Sequence, residues 1–424
     1  MPLQRYTARP NSKRWWYRMK ERKRLRATME QHTATMRLAA ALHLLEEDSF
    51  MEDAYLGAML AAAEGIGETK RLLWRKSEAM RVTDFPEMRT VFDFPVEREF
   101  RHNFRFDLPG FWRVLRNFGW LDADEVPILI TLGPKGSRWS ARADWLLMVL
   151  CRRLSFPGRM EETCKTVGGS CTYVSQAWNF VLDFIFKKYR FMMSNIKRYA
   201  PWFAEMAAWL WERGCPHDNL VGFADGTDQF VCRSIGPKGG KRFNIYQRSN
   251  YSAKKKRHAL VWQDVLLVNG LNSIWGPYAG RHHDAGIVDH TGLLDDLADV
   301  SKDLGVDYAV FGDAAYPLTR HCFPACKAPK GCKLATPQKN YNLIMSRFRT
   351  PVENNFAAEG QQWGFIQHVQ NQRLGRSAVG KQYIARAFLH NCYTLLYDSI
   401  TSVQHGGFVS ENPITLEWFM DASN

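Results

Sequence analysis

The sequence predicts an α/β protein, a mixed sheet with flanking helices, preceded by an all-α domain with helix-turn-helix spacing. Three observations predict it. Apolar residues recur at helical intervals as far as about Tyr199, and from Pro216 onward the pattern turns strand-like. Two strand-like runs in "RHALVWQDVLLVNGLNSIWGPYAG" meet around Asn269-Gly270, a hairpin signal. Strands and helices then follow in the order strand, strand, strand, helix, strand, strand, helix, which implies mixed strand directions.

The chain has 424 residues, of which 46% are apolar and 13% aromatic, enough to bury cores in two or three domains. The longest apolar run, "DWLLMVLC", is well short of the roughly 18 residues of a membrane span. The N-terminus lacks the apolar stretch of a secretory signal, so the expectation is a soluble, intracellular protein with no membrane partner. Nine cysteines, an odd number without regular spacing, argue against a disulfide framework. The densest group, His321, Cys322, Cys326 and Cys332 in "HCFPACKAPKGC", has ligand types that suit zinc, but the spacing fits a loop equally well.

Charge is more telling. The net charge is +14, with ten Lys/Arg against two Glu in residues 1–30. A second cluster, from Arg233 to Arg257, has nine Lys/Arg and no acid. It includes Lys241, Arg242, Arg248, Lys254, Lys255, Lys256 and Arg257. Such clusters favour a polyanionic partner, because each neutralised phosphate releases counterions. For the N-terminal arm alone, a solvated basic face with an import signal explains the charge as well.

In chain order, residues 1–30 read as a basic arm and 31–106 as a helical region ending in a proline-punctuated connector. Residues 107–200 form the helical domain. In it, "ARADWLLMVLCRRLSF" is an amphipathic helix, and "RMEETCKTVGG" a short one closed by two glycines. Ser170 then caps "CTYVSQAWNFVLDFIFKKYR", whose Val174, Trp178, Val181 and Ile185 share one face. If this is a DNA-reading unit and not an ordinary helical hairpin, Thr172, Tyr173, Ser175 and Gln176 start its recognition helix. Residues 214–400 hold the sheet, with "CKLATP" as a candidate strand, and 401–424 are a tail.

Within the sheet, Asp225 in "NLVGFADGTDQFVCR" and Asp313 in "DYAVFGDAAY" each end a predicted strand beside small residues. Glu353 falls in a later helix after "RTPV", with proline at the helix start. If the first and fourth strands are neighbours, the aspartates lie side by side and a helix across them brings the glutamate in. Converging carboxylates need cations, and hard ions such as Mg²⁺ or Mn²⁺ prefer oxygen ligands. Two such ions suit phosphoryl transfer, and Gly226 and Ala314 leave room for a phosphate backbone.

The segments "FADGT", "NYSAKKKRHALVWQDVLLVNGLNSIWGPYAGRHHD", "VFGDAAYPL", "RTPVENNFAAEGQQWGF" and "AFLHNCYTLLY" resemble, in order, the blocks of PIF/Harbinger-type DDE transposases and their domesticated nuclease relatives. The resemblance covers roughly Gly222 to Tyr397. It implies an RNase H-like fold whose DDE triad, Asp225, Asp313 and Glu353, binds two Mg²⁺ or Mn²⁺ ions and cuts and joins DNA. It also settles Glu353 over its neighbour Glu359. Lys254 to Arg257 match a basic block that faces DNA. Asp284 matches a recurring family acid, although on physical grounds it caps the helix that follows it. His282 and His283 are further candidates at phosphate, against the commoner reading of exposed loop histidines. The resemblance further implies double-stranded DNA as partner, a Myb-like accessory protein, work in the nucleus with the cytoplasm as alternative, and a homo-oligomer as an open option. The rival function is a domesticated DNA-binding protein without cleavage, and a third is a ribonuclease on the same fold.

Overall fold

A computed structural model describes residues 87–133, 138–233, 247–282, 284–374, 376–397 and 414–421. The basic arm and the first helices expected over 31–86 lie outside the described residues, as do Lys241 and Arg242. No helix among the described residues is long and apolar enough to cross a membrane.

The helical part opens with α1 (Glu97–Phe104) and α2 (Leu108–Phe118), the second capped by Asp107, whose Oδ1 accepts from the Gly110 amide at 2.8 Å. The domain expected to be all-α contains a small sheet. β1 (Leu129–Leu132) and β2 (Trp139–Arg142) form a two-stranded antiparallel sheet, because "LITL" is β-prone and a Gly-Pro-Lys-Gly stretch separates the strands. The helix expected to be amphipathic, α3 (Ala143–Ser155), is instead buried on nearly every side, since other elements pack all round it.

The punctuation after it is as expected. α4 (Met160–Val167) stops at Gly168 and Gly169, with φ of 77° and 82°. Ser170 then caps α5 (Cys171–Met193), accepting from the Tyr173 amide, and Val174, Trp178, Val181 and Ile185 are buried along it. A 3₁₀ segment leads into α6 (Phe203–Glu212).

The sheet centres on β3 (Leu220–Phe230). β4 (Tyr251–Ser252) turns into β5 (Arg257–Leu267), which runs antiparallel to β3, and β6 (Asn272–Ala279) returns along the other side of β5. The expected turn sits between β5 and β6, with Gly270 at φ 82° and the Leu267 amide bonded to the Leu271 carbonyl. After α7 (Asp284–Thr291) and α8 (Leu293–Leu304), β7 (Ala309–Gly312) enters parallel to β3 on the side away from β5, and β8 (Cys322–Pro324) lies parallel beyond it. The fifth strand is thus Cys322–Pro324, and "CKLATP" is irregular, leading into α9 (Thr336–Gln362). Pro351 lies inside this 27-residue helix and does not start it.

α10 (Val379–Leu396) joins the two parts, and α11 (Leu416–Met420) packs beside it. The Phe388 ring stacks on Tyr189 of α5 at 4.3 Å and on Phe419 at 5.6 Å, while Tyr383 stacks on Trp262 of β5 at 4.3 Å. The helices and sheet therefore share one apolar core, running from Val91 to Met420. Phe388→Ala is expected to cost about 3–5 kcal/mol. Thermal melts followed by near-ultraviolet circular dichroism should show helices and sheet losing their packing together at a lower temperature.

Candidate active site

β3 does not end at its acid, as the sequence suggested. The strand continues five residues beyond Asp225, because Gly226, although turn-like, pairs with Gln263 of β5 in the ladder. Asp313, by contrast, directly follows the last residue of β7. The parallel pairing of Phe223 with Phe311 sets both acids two residues further on, level with each other. They line one cavity of about 280 Å³.

Each carboxylate is partly engaged. Asp313 Oδ1 accepts from the Ala315 amide at 2.8 Å, so this residue both braces its turn and faces the cavity. Asp225 Oδ1 accepts from the Gly226 amide at 2.9 Å, and its Oδ2 accepts from Arg349 Nη2 of α9 at 3.0 Å. Burial pushes the Asp225 carboxyl above its ordinary value; Arg349 and the Gly226 amide oppose the rise and Asp313 adds to it.

A clasp between strands fixes the spacing of the two acids. The fully buried Gln263 donates from Nε2 to the Asp225 carbonyl at 3.2 Å, and its Oε1 accepts from the Tyr316 hydroxyl at 2.9 Å. Tyr316 in turn donates its amide to the Asp313 carbonyl at 3.1 Å and lies so close to Gly312 that a side chain there would strike its ring. Removing the hydroxyl would leave a buried acceptor without its donor. Tyr316→Phe is thus expected to cost about 1–3 kcal/mol and to weaken Mn²⁺ binding, both measurable by melting and titration calorimetry.

Opposite Asp225 in the ladder stands Asp264, fully buried, with neither carboxylate oxygen hydrogen-bonded. Burial, then the nearby Glu359 carboxylate, push it well above its ordinary value, which Arg386 only partly offsets. Glu359 is also fully buried and accepts from Arg386 Nη2 at 2.7 Å. These acids take up protons on folding that the unfolded chain releases, so their effect on stability worsens as pH rises from about 4 through their raised folded values. Asp264→Asn is expected to raise the melting temperature by a few degrees at neutral pH and to flatten that decline, as melts across a pH series would show.

Glu353 is exposed on α9, one helical turn beyond Arg349, and is not among the residues lining the cavity. Among the described residues no three His, Cys, Asp or Glu side chains are gathered as a metal cage. That holds for His321, Cys322, Cys326 and Cys332 too. His321 Nδ1 meets the Tyr308 carbonyl at 2.9 Å, Cys322 is buried in β8, its thiol pushed up to about 12 by burial, and Cys332 is exposed.

The basic hairpin stands at the cavity mouth. Lys254 to Lys256 are exposed in the turn between β4 and β5, Arg257 is exposed at the start of β5, and Lys254 and Lys255 line the cavity beside the two aspartates. Lys255 Nζ lies 4.0 Å from Asp228, an acid of the same cavity that departs from the family pattern, in which a non-acidic residue stands at that place. Arg248 is exposed just before β4. His282 lines the cavity, His283 is outside the described residues, and Asp284 is the first residue of α7. The residues at the start of α5 are elsewhere. Thr172 and Tyr173 are exposed, but the Tyr173 ring packs on Trp139 at 4.4 Å and Gln176 accepts from the Trp139 indole.

Paired carboxylates lining one cavity with two lysines make a site for a hard cation next to a polyanion. Asp225 already carries a cation, the Arg349 guanidinium, so the donor set fits positive charge at this point. Residues 225–391 match the family model of the DDE superfamily endonucleases, a segment that contains Asp225, Asp313 and Glu353. Neither the curated proteins nor the solved structures gave a match. The family match supports a DDE endonuclease domain, of the transposase and nuclease class, whose members act on DNA and generally use divalent metals.

Proposed function

We propose that this protein is a metal-dependent DNA endonuclease or transposase of the PIF/Harbinger type, with an RNase H-like fold and Asp225, Asp313 and Glu353 as its triad. The observation that carries the proposal is the cavity that joins Asp225 and Asp313 to Lys254 and Lys255. A strand order of β6, β5, β3, β7, β8, with an antiparallel hairpin beside a parallel pair, supports the fold reading.

Asp225 and Asp313, joined by Glu353, would hold Mg²⁺ or Mn²⁺, which in pairs activates an attacking oxygen and stabilises the leaving one. The chain's own part is positioning. Lys254, Lys255 and the flanking Lys256 and Arg257 take the phosphates, and Gly226 beside the first acid leaves the backbone open to a close approach. The Gln263–Tyr316 clasp keeps the acids level while Asp313 stays tied to its turn. Double-stranded DNA as substrate, a reading role for the start of α5, a Myb-like partner, assembly with further copies, and work in the nucleus extend this proposal.

A second reading, a DNA-binding relative that no longer cuts, draws on Glu353 lying outside the cavity. Calorimetric Mn²⁺ titration with a plasmid-nicking assay separates the two. The nuclease reading expects Mn²⁺ binding and nicking in the wild type, with nicking lost by at least about 100-fold in Asp225→Asn and Asp313→Asn, on the scale of removing one group from a catalytic centre. DNA binding with weak Mn²⁺ uptake, unaltered by either substitution, and no nicking would favour the second.

A further inference from the structure

We propose that Arg349 is a resident counter-cation, which holds the place of the divalent ion at Asp225 and gives it up when that ion enters. The inference rests on the reading that Asp225 and Asp313 form a metal site.

Three observations carry it. First, the pair is half-buried in its setting, with the Arg349 side chain 25% and the Asp225 side chain 19% exposed, so its charges interact more strongly than an open surface pair. Second, the contact is made through one nitrogen, Nη2, at 3.0 Å, while the buried Nε has no hydrogen-bond partner. A guanidinium fork meets a carboxylate best with two parallel bonds, and Arg349 does not reach that state here. Third, Asp225 Oδ1 accepts from Gly226 and Oδ2 from Arg349, so both oxygens are engaged before any ion enters and Arg349 competes with it at Oδ2.

Two cations cannot hold one carboxylate oxygen without strong mutual repulsion. Were Asp225 and Asp313 to hold a divalent ion, its charge would oppose the guanidinium at Oδ2 and favour its release. The displaced fork starts beside the cavity, where the incoming ligand is a phosphate chain, and planar bidentate pairing with phosphate is what arginine does best. Arg349 thus links two events, metal entry at the acids and phosphate capture at the rim. In the free chain it offsets the charge of Asp225 beside Asp313.

The test is Mn²⁺ titration calorimetry on the full-length chain stripped with EDTA, comparing wild type, Arg349→Gln and Arg349→Lys, with melts to check folding and plasmid nicking in parallel. The expected result is Mn²⁺ affinity about tenfold tighter in Arg349→Gln, a smaller gain in Arg349→Lys, and nicking reduced in both despite the tighter ion. A residue that merely braces the fold would lower metal affinity when removed. Where Arg349→Gln fails to fold, Arg349→Lys carries the same readout. Binding in the glutamine variant without measurable binding in the wild type also supports the proposal. Equal or weaker binding in folded variants, with clear binding in the wild type, overturns it and leaves the metal site standing. No binding in any of the three overturns both.

Discussion

The parallel pairing of β3 with β7 is the contact on which the rest depends. It joins segments about ninety residues apart, and its register, with Phe223 opposite Phe311, brings Asp225 and Asp313, each two residues further on, to the same end of the two strands. A slip of one residue would send a side chain to the opposite face of the sheet and leave the acids on different sides. The apolar run "AVFG" is buried throughout, which fixes the strand's depth, and the Gln263–Tyr316 clasp then ties both neighbours of the pair to β5.

Around that pairing the chain tolerates a concentration of acid that a sheet interior normally excludes. Asp225, Asp264 and Glu359 are all held above their ordinary proton affinities, chiefly by burial, and two guanidinium groups, Arg349 and Arg386, are distributed among them. His390 is buried in the same region between Asn355 and Gln362, its proton affinity pushed down to about 3 by burial and by Arg386. The polar layer between α9, α10 and the β5–β6 hairpin is thus charged on one side and neutral on the other. Buried charge of this kind adds little to stability but sets which arrangement the elements adopt.

Much of this was legible in the sequence, for reasons that are local. Ser170, the Gly168-Gly169 stop, the Asn269-Gly270 turn and the buried face of α5 all follow from side chains acting on their own backbone. Asp313 at the end of β7 was readable because small residues follow a β-prone run. The failures share one cause, which is tertiary pairing overriding a local signal. Gly226 reads as a turn, yet neighbouring β5 keeps β3 extended through it. Pro351 reads as a helix start, yet α9 runs through it from Thr336. Arg349 and Asp264 fall within the blocks "RTPVENNFAAEGQQWGF" and "VWQDVLLV", but nothing local marks either as part of a site. The nearest signal was "QD" set within the apolar run of β5, two polar residues where burial was expected.

The stacking of Phe388 between Tyr189 and Phe419 has a mechanical meaning. α5 and the sheet are coupled through α10, with Lys381 of α10 also paired to Asp183 of α5 at 2.6 Å, and no slack linker intervenes between them. A load applied at the exposed start of α5 passes along that helix to Tyr189 and Phe388, and from α10 into the sheet through the Tyr383–Trp262 stack, as through the arm of a rigid caliper. The distance from that helix start to the paired aspartates is therefore a built-in length, set by core packing and not by the reach of a tether.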